Sequence, residues 1–302
     1  MKYLIFGGTG FVGKSLVQYL EQQGQEVLSV SRSGRGKSLA LDITKESDFL
    51  KLNYLPDIII NCASKIPEKG KSSSDPLFIR ELFLTNVVGA VNITNWAVKN
   101  NIPKILNCST LVVVKKPWPN PLKEEFSNLP DGLHVGYSMS KLSQERIMDE
   151  CVKPSKTKLV HIRLSAVYGE GMTRDGVIFN LIDNLKSNKE VILHDSFRNS
   201  ADFIHVRDVC KSLFNLSKQE ISWDYLNLAS GKPVTINELA LQLKKILNSK
   251  SKIIDKESNR PSSEAHIDIS RLRKIIGGTY SDFLPLEEGL ATLIEGEDKF
   301  NN

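Results

Sequence analysis

The sequence predicts an α/β chain: a doubly wound parallel sheet with a smaller, interleaved C-terminal α/β region. Three observations predict it. Short apolar runs alternate with helical patterns through the first two thirds, the mark of repeated βαβ units. A glycine-rich turn, Gly7-Gly8-Thr9-Gly10-Phe11-Val12-Gly13, follows the first apolar run at once and opens a helix. The last third changes character, mixing short strands and helices with turn signals such as Gly231-Lys232-Pro233. With 302 residues, 40% of them apolar, the chain is long enough for one large or two modest domains with a real core.

Taken in order, the strand candidates are residues 3–6, 26–30, 57–61, 104–108 and 158–164. Residues 65–76 are polar and rich in Lys and Ser, so they read as a mobile loop. Thr235 with Glu238 three positions later begins a helix through a capping box. Parallel sheets of this kind bind ligands beyond the carboxyl ends of their strands. Residues 1–170 are therefore expected to form a dinucleotide-binding domain, with 200–230 returning to it. Residues 171–199 and 231–302 are expected to form the substrate-binding region.

The formal net charge is +5, from 40 basic and 35 acidic residues. So thin an excess suits a phosphate-bearing small ligand rather than a nucleic-acid track. Cys62, Cys108, Cys151 and Cys210 show no Cys-x-x-Cys pairing, so neither a disulfide framework nor a metal site is expected. No apolar run reaches the roughly 20 residues of a membrane helix, and the N-terminus enters a strand directly, without a secretory signal. The expectation is a cytoplasmic protein with no membrane or nucleic-acid partner.

The glycine turn points to a dinucleotide. Gly7 and Gly10 allow a tight turn and close approach of backbone to a pyrophosphate, while Gly13 lets helix and strand pack closely. The helix start at Thr9, Gly10, Phe11 and Val12 offers free N–H groups and a positive dipole end to the anion. The second strand bears on which dinucleotide. An NAD site usually ends that strand with an acidic residue; this one ends with Ser31-Arg32-Ser33. A guanidinium and hydroxyls can hold a 2′-phosphate that a carboxylate would repel, so NADP is expected. If Arg32 instead stacks on the adenine, NAD is equally accepted. Asp42, beside Ile43, either meets the adenine amino group or caps a helix.

Tyr137 and Lys141, at i and i+4, share one helical face. A phenol has a pKa near 10, roughly, and a nearby ammonium and an oxidised nicotinamide both favour its phenolate. Such a pair can move a proton while a cofactor moves a hydride, with Lys141 also holding the nicotinamide ribose. Asn107-Cys108-Ser109-Thr110 closes the fourth strand. Thr110 or Ser109 either hydrogen-bonds the reacting oxygen beside Tyr137 or caps the strand end.

These residues carry a resemblance. The chain resembles an extended short-chain dehydrogenase/reductase of the NAD-dependent epimerase/dehydratase family, which has a Rossmann sheet. The matching motifs run over nearly its whole length. After the glycine turn come Asn61-Cys62-Ala63-Ser64, Thr85-Asn86-Val87-Val88-Gly89-Ala90, Cys108-Ser109-Thr110 and Tyr137-Ser138-Met139-Ser140-Lys141. Later matches are Arg163-Leu164-Ser165-Ala166-Val167-Tyr168-Gly169, Asp202-Phe203-Ile204-His205-Val206-Arg207-Asp208 and Arg260-Pro261. The resemblance implies a catalytic triad of Thr110, Tyr137 and Lys141. It implies that Cys62, Ala63 and Ser64 line the cofactor and that Asn86 helps hold the active-site helix. It also implies a nucleotide-sugar substrate with Arg260 on its phosphates, and a homodimer built from the helix bearing Tyr137 and the one at 80–98.

The departures narrow the reaction. Family dehydratases place an Asp-Glu pair after the catalytic Ser or Thr, where this chain has Leu111-Val112, so dehydration is disfavoured. Ala201 and Ala166 stand where Arg and Asn commonly touch the substrate, leaving Arg174, Arg198 and Arg207 as candidates. His194 and His205 read as structural, and Trp118 lines the cleft or simply packs. Three functions follow: an NADPH-dependent reductase of a nucleotide-linked 4-keto-deoxy sugar, a nucleotide-sugar 4-epimerase using NAD or NADP, or a dinucleotide-binding protein that does no chemistry.

Overall fold

The computed structural model describes residues 1–132, 134–258, 262–278 and 283–300. The chain divides into two units. The first comprises Met1–Lys115, Ser127–Leu164 and Cys210–Leu226; the second comprises Lys116–Phe126, Ser165–Val209 and Asn227–Asn302.

The expected apolar runs all become strands of one sheet: β1 (Lys2–Phe6), β2 (Glu26–Ser31), β4 (Ile58–Asn61), β5 (Lys104–Thr110) and β6 (Lys158–Leu164). A two-residue strand, β3 (Leu39–Ala40), and β10 (Tyr225–Leu228) complete seven strands in the order β3-β2-β1-β4-β5-β6-β10. All the pairings from β3 to β6 are parallel. The order reverses direction at β1, between β2 and β4, which is where a doubly wound sheet opens its ligand crevice. Ile58, Ile59 and Ile60 are all fully buried, as expected of strands covered on both faces. Strand β5 runs two residues past the expected end, because Ser109 and Thr110 keep pairing, with Arg163 and Leu164.

Helix α1 (Phe11–Gln22) follows β1 through the glycine turn. Asp75 caps α2 (Pro76–Phe83), accepting from Leu77 N at 3.0 Å. Helix α2 passes through a π-helical turn, Leu84–Val88, into α3 (Gly89–Lys99). Together Pro76–Lys99 is 24 residues long and apolar enough by composition to cross a membrane. That corrects the expectation that no such segment exists: Arg80, Glu81, Asn86, Asn92 and Asn95 interrupt the run when it is read linearly. In this structure Phe78, Leu82, Ala90, Ile93 and Ala97 are buried, and Asn86 and Asn92 bond inside the unit. The loop at 65–76 is irregular and tied to α2, with Lys65 and Lys71 both paired with Glu68 and Glu81. Helix α4 (Val135–Val152) carries Tyr137 and Lys141, and α6 (Val206–Ser217) precedes β10 in the chain.

The second unit holds α5 (Gly176–Lys186), α7 (Ile236–Ile246), α8 (Ser270–Ile276) and α9 (Leu286–Phe300). Its small sheets are β11-β9-β7, from β7 (Ala166–Tyr168), β9 (Ser200–His205) and β11 (Pro233–Thr235), and β12-β8, from β8 (Val191–His194) and β12 (Ile253–Lys256). A core of Phe179, Ile182, Leu185, Leu239, Leu243 and Leu290 holds these elements together. The capping box at the start of α7 is present, with Glu238 N donating to Thr235 Oγ1 at 3.1 Å and Thr235 N to Glu238 Oε2 at 2.8 Å.

Candidate active site

The carboxyl ends of β1, β2 and β4 line a groove, open to solvent, of about 660 Å³. Its walls include Gly7, Thr9, Gly10, Ser31, Arg32, Asp42, Ile43, Cys62, Ala63 and Ser64, all expected from the sequence. Val30, Leu41, Thr44 and Thr85 join them and were not expected. Thr44 carries a local signal, since Asp42 Oδ1 accepts from its N (3.0 Å) and Oγ1 (2.8 Å) in an Asx turn. Asp42 caps no helix by this bond: the N-cap of the helical turn at Glu46–Lys51 is Lys45.

The turn fits a pyrophosphate. Gly7 sits at φ 77°, and a Cβ there would lie 2.6 Å from Ala63 N. A Cβ on Gly8 would meet Ser29 Oγ at 1.9 Å, and one on Gly13 would meet Gly7 O at 2.2 Å. Three positions therefore admit no side chain, so backbone forms the floor. Gly10 caps α1 without a side chain, which leaves the first-turn N–H groups free for an anion. Phe11, Val12 and Gly13 form that turn behind the groove wall, while Ser33 lies exposed beyond it. Ser31 Oγ accepts from Gly34 N at 3.2 Å and so shapes the loop that presents Arg32. Arg32 is exposed, with no hydrogen bond or ion pair to another described residue.

Around Tyr137 the same unit brings together Thr110, Ser64, Asn86 and Lys141. Burial pushes the Tyr137 phenol up to about 12, against hydrogen bonding by Thr110 and Ser64, which lowers it. Lys141 is not among the groups that shift it. The ammonium that was to lower it points elsewhere: Lys141 Nζ donates to Cys108 O at 2.8 Å and to Gln144 Oε1. Lys141 is itself buried, and burial brings it down to about 8. Thr110 Oγ1 accepts from Val112 N at 3.4 Å, and its hydroxyl also hydrogen-bonds the Tyr137 phenol.

Asn86 sits in the π turn, fully buried, a position where such turns often serve a site. Its Oδ1 accepts from Lys65 N (2.7 Å) and Ser64 Oγ (3.2 Å); its Nδ2 donates to Lys65 O (2.9 Å) and Ser140 Oγ (2.9 Å). One carboxamide thus ties the loop after β4 to the helix of Tyr137. Gln144, which sequence reasoning missed, makes the parallel tie. It accepts from Lys141 and from Asn107 Nδ2 (3.2 Å) and donates to Asn86 O (2.8 Å). Its signal was only its place one turn beyond Lys141.

Beneath this layer lies a buried ion pair. Arg163 Nε and Nη2 donate to the two oxygens of Glu145 at 3.0 and 2.8 Å, and Ser109 Oγ adds a bond to Oε1 at 2.5 Å. Ser109 is therefore committed to Glu145, and Thr110 is the hydroxyl of this strand end that bonds Tyr137. His161, fully buried, bonds Asn107 and Asp149 at 3.0 and 3.1 Å.

The second unit holds the other candidates. Arg174 pairs with Asp183 and lies over the Phe179 ring at 4.7 Å. Arg198 pairs with Asp195, and Arg207 lies 3.9 Å from Asp208. His205 is buried, 3.4 Å from Glu170 and edge-on to Tyr168. Trp118 stacks with Lys116 at 4.3 Å. Arg260 lies outside the described residues.

A model of the NAD dependent epimerase/dehydratase family matches residues 3–222. The dTDP-4-dehydro-6-deoxyglucose reductase of Escherichia coli is 23% identical over 314 residues, covering 97% of this chain and 96% of that one. The structure of RMD from Pseudomonas aeruginosa complexed with NADPH superposes with a TM-score of 0.81 at 20% identity, covering 99% of both chains. The UDP-glucose 4-epimerase of Thermus thermophilus in complex with NAD gives 0.77 at 19%, covering 98% of both. At these identities the two structures speak for the fold.

Proposed function

The chain belongs to the NAD dependent epimerase/dehydratase family, and from that membership we propose that it is an NADPH-dependent reductase of a nucleotide-linked 4-keto-deoxy sugar. It is an enzyme of the extended short-chain dehydrogenase/reductase type, and the proposal concerns which reaction it performs. The observation that carries the reading is Arg32, exposed just after β2 with no hydrogen bond or ion pair to another described residue; a free guanidinium there suits the 2′-phosphate of NADPH, the cofactor of reductions. Tyr137, whose buried phenol is held toward its protonated form, is the proton donor that a ketone reduction needs.

When bound, the nicotinamide supplies the hydride. Tyr137 Oη gives its proton to the sugar oxygen, and the Thr110 hydroxyl, which bonds Tyr137, turns to polarise that oxygen from beside it. An ammonium has three donors. Lys141 commits two, to Cys108 O and Gln144, which leaves one for a ribose hydroxyl. Gly7, Gly8 and Gly13 bring backbone to the pyrophosphate, and the uncommitted Arg32 favours a 2′-phosphate and hence NADP. The RMD neighbour with NADPH and the Escherichia coli reductase support this reading. Arg174, Arg207 and Arg260 are the proposed phosphate partners of the substrate nucleotide.

A second reading is a nucleotide-sugar 4-epimerase with the same triad, which the Thermus neighbour and its NAD support. The deciding experiment has two arms. A thermal-shift screen of NADP, NAD, UDP, dTDP, GDP and CDP finds the ligands, because a ligand of the native state alone raises the melting point. Turnover then separates the reactions: net NADPH consumption with a keto sugar supports reduction, and interconversion of a hydroxyl-bearing sugar without added reductant replaces it with epimerisation. A homodimer through α4 and the Pro76–Lys99 helix belongs to the same proposal, supported by the exposed Leu77, Leu84, Val88 and Ile147 on those elements.

A further inference from the structure

Cys62 and Cys108 have no part in the chemistry above, yet they stand side by side at the ends of neighbouring strands. Asn61 and Asn107 are register partners on β4 and β5, and the two cysteines are the next residues along. Their sulfurs lie 3.7 Å apart. Neighbouring strands run about 4.8 Å apart, inside the roughly 4.4–6.8 Å between Cα atoms that a disulfide spans. Closure needs only that the sulfurs approach to about 2.0 Å. Cys62 is half-buried and lines the dinucleotide groove, while Cys108 is 9% exposed.

We propose that Cys62 and Cys108 form a dithiol site that a hydroperoxide closes to a disulfide, and that this closure and dinucleotide binding oppose each other. The first half stands on the two sulfurs alone; the second rests on the cofactor reading above. The chemistry balances as follows. The Cys108 sulfur, as thiolate, attacks one peroxide oxygen; the O–O bond breaks and hydroxide leaves, giving a sulfenic acid. The Cys62 sulfur then attacks the Cys108 sulfur, a new S–S bond forms, and the second hydroxide leaves. It takes up the Cys62 proton as water. Two thiols are oxidised and one peroxide is reduced to two waters. The local charges suit that order. A hydrogen bond from the Cys62 thiol, with Lys141 nearby, takes Cys108 below its ordinary pKa despite burial. Cys62, facing that sulfur and buried, is pushed up and keeps its proton.

The coupling comes from what Cys62 touches. Cys62 N donates to Phe6 O at 2.9 Å. A Cβ on Gly7 would lie 2.7 Å from Cys62 C and 2.6 Å from Ala63 N, so the backbone at 62–63 presses on the pyrophosphate turn. Drawing Cys62 toward Cys108 moves a segment that is at once groove wall and turn support. Lys141 Nζ, bonded to Cys108 O, is disturbed from the other side. Linkage is reciprocal: a dinucleotide that needs the open spacing also protects the thiols.

The test treats the intact protein with hydrogen peroxide, with and without saturating NADP, and maps the products by peptide mass spectrometry. The expected result is a Cys62–Cys108 cross-link that dithiothreitol reverses, formed more slowly with NADP present. The oxidised protein should bind NADP about tenfold more weakly or worse, within the usual range of such couplings, and recover on reduction. In Cys108→Ala the same treatment should leave the NADP Kd where it stood before treatment. Absence of the cross-link, or a cross-link through Cys151 or Cys210 instead, overturns the site. A cross-link that leaves NADP affinity and protection untouched overturns the coupling. If the reduced protein binds neither NADP nor NAD, the cofactor reading has failed, and the mass map still decides the dithiol.

Discussion

Arg32 stands exposed and without a counter-ion among the described residues, so a charge reversal there acts on the ligand rather than on the fold. A hydrogen bond to a charged group is worth about 1.5–3 kcal/mol. Arg32→Glu is therefore expected to weaken NADP binding by about 10- to 100-fold and to spare NAD, read as Kd by fluorescence titration; equal losses for both cofactors would refute the 2′-phosphate role. For Tyr137→Phe, loss of the proton donor should lower kcat by about 10²–10⁴ while NADP still raises the melting point. A kcat within a few-fold of wild type would remove Tyr137 from the chemistry. Lys141 gives a pH signature. Its folded pKa, about 8, lies below its ordinary 10.5 because of burial. Its contribution to stability is thus full above the ordinary value and lost as pH falls through about 8. Lys141→Met, which cannot titrate, should gain stability relative to wild type on going from about pH 10 down to neutral. A difference that stays flat over that span would show that Lys141 keeps its ordinary pKa.

At the scale of elements, the glycine turn and the five sheet strands were legible because each has a short-range cause: glycines where no Cβ fits, and unbroken apolar runs where a parallel sheet is covered on both faces. Gly13→Ala would push a Cβ to within 2.2 Å of Gly7 O. Overpacking of this kind costs about 1–3 kcal/mol, and the variant should lose the melting-point rise that NADP gives the wild type. If that rise survives, close backbone packing is not what the turn needs. Other elements were hidden for a physical reason. The last two residues of β5 are polar, and only their partners on β6 make them strand. The π turn has no composition of its own; Asn86 is held there by Lys65, Ser64 and Ser140, distant in sequence. Lys141 and Tyr137 were found together by spacing. Which way the ammonium would turn depended on Gln144 and on the Cys108 carbonyl, a contact that no spacing rule contains.

For the whole molecule, the proposed dimer makes its own prediction. Val88→Lys places a charge on a half-exposed apolar position of the 24-residue helix, and light scattering should show the wild-type dimer reduced to monomers. A wild type that is already monomeric would end that part of the proposal. The buried Glu145–Arg163 pair reaches further than stability. Each partner is within a few per cent of complete burial, and deleting one alone strands the other's charge, at a cost of about 3–5 kcal/mol, whereas swapping both for well-packed apolar side chains is often neutral. Positions 145 and 163 are thus joined across a fitness valley. Lineages drifting by single steps inherit the two together, and a library randomised one site at a time should return neither change where a paired library returns both.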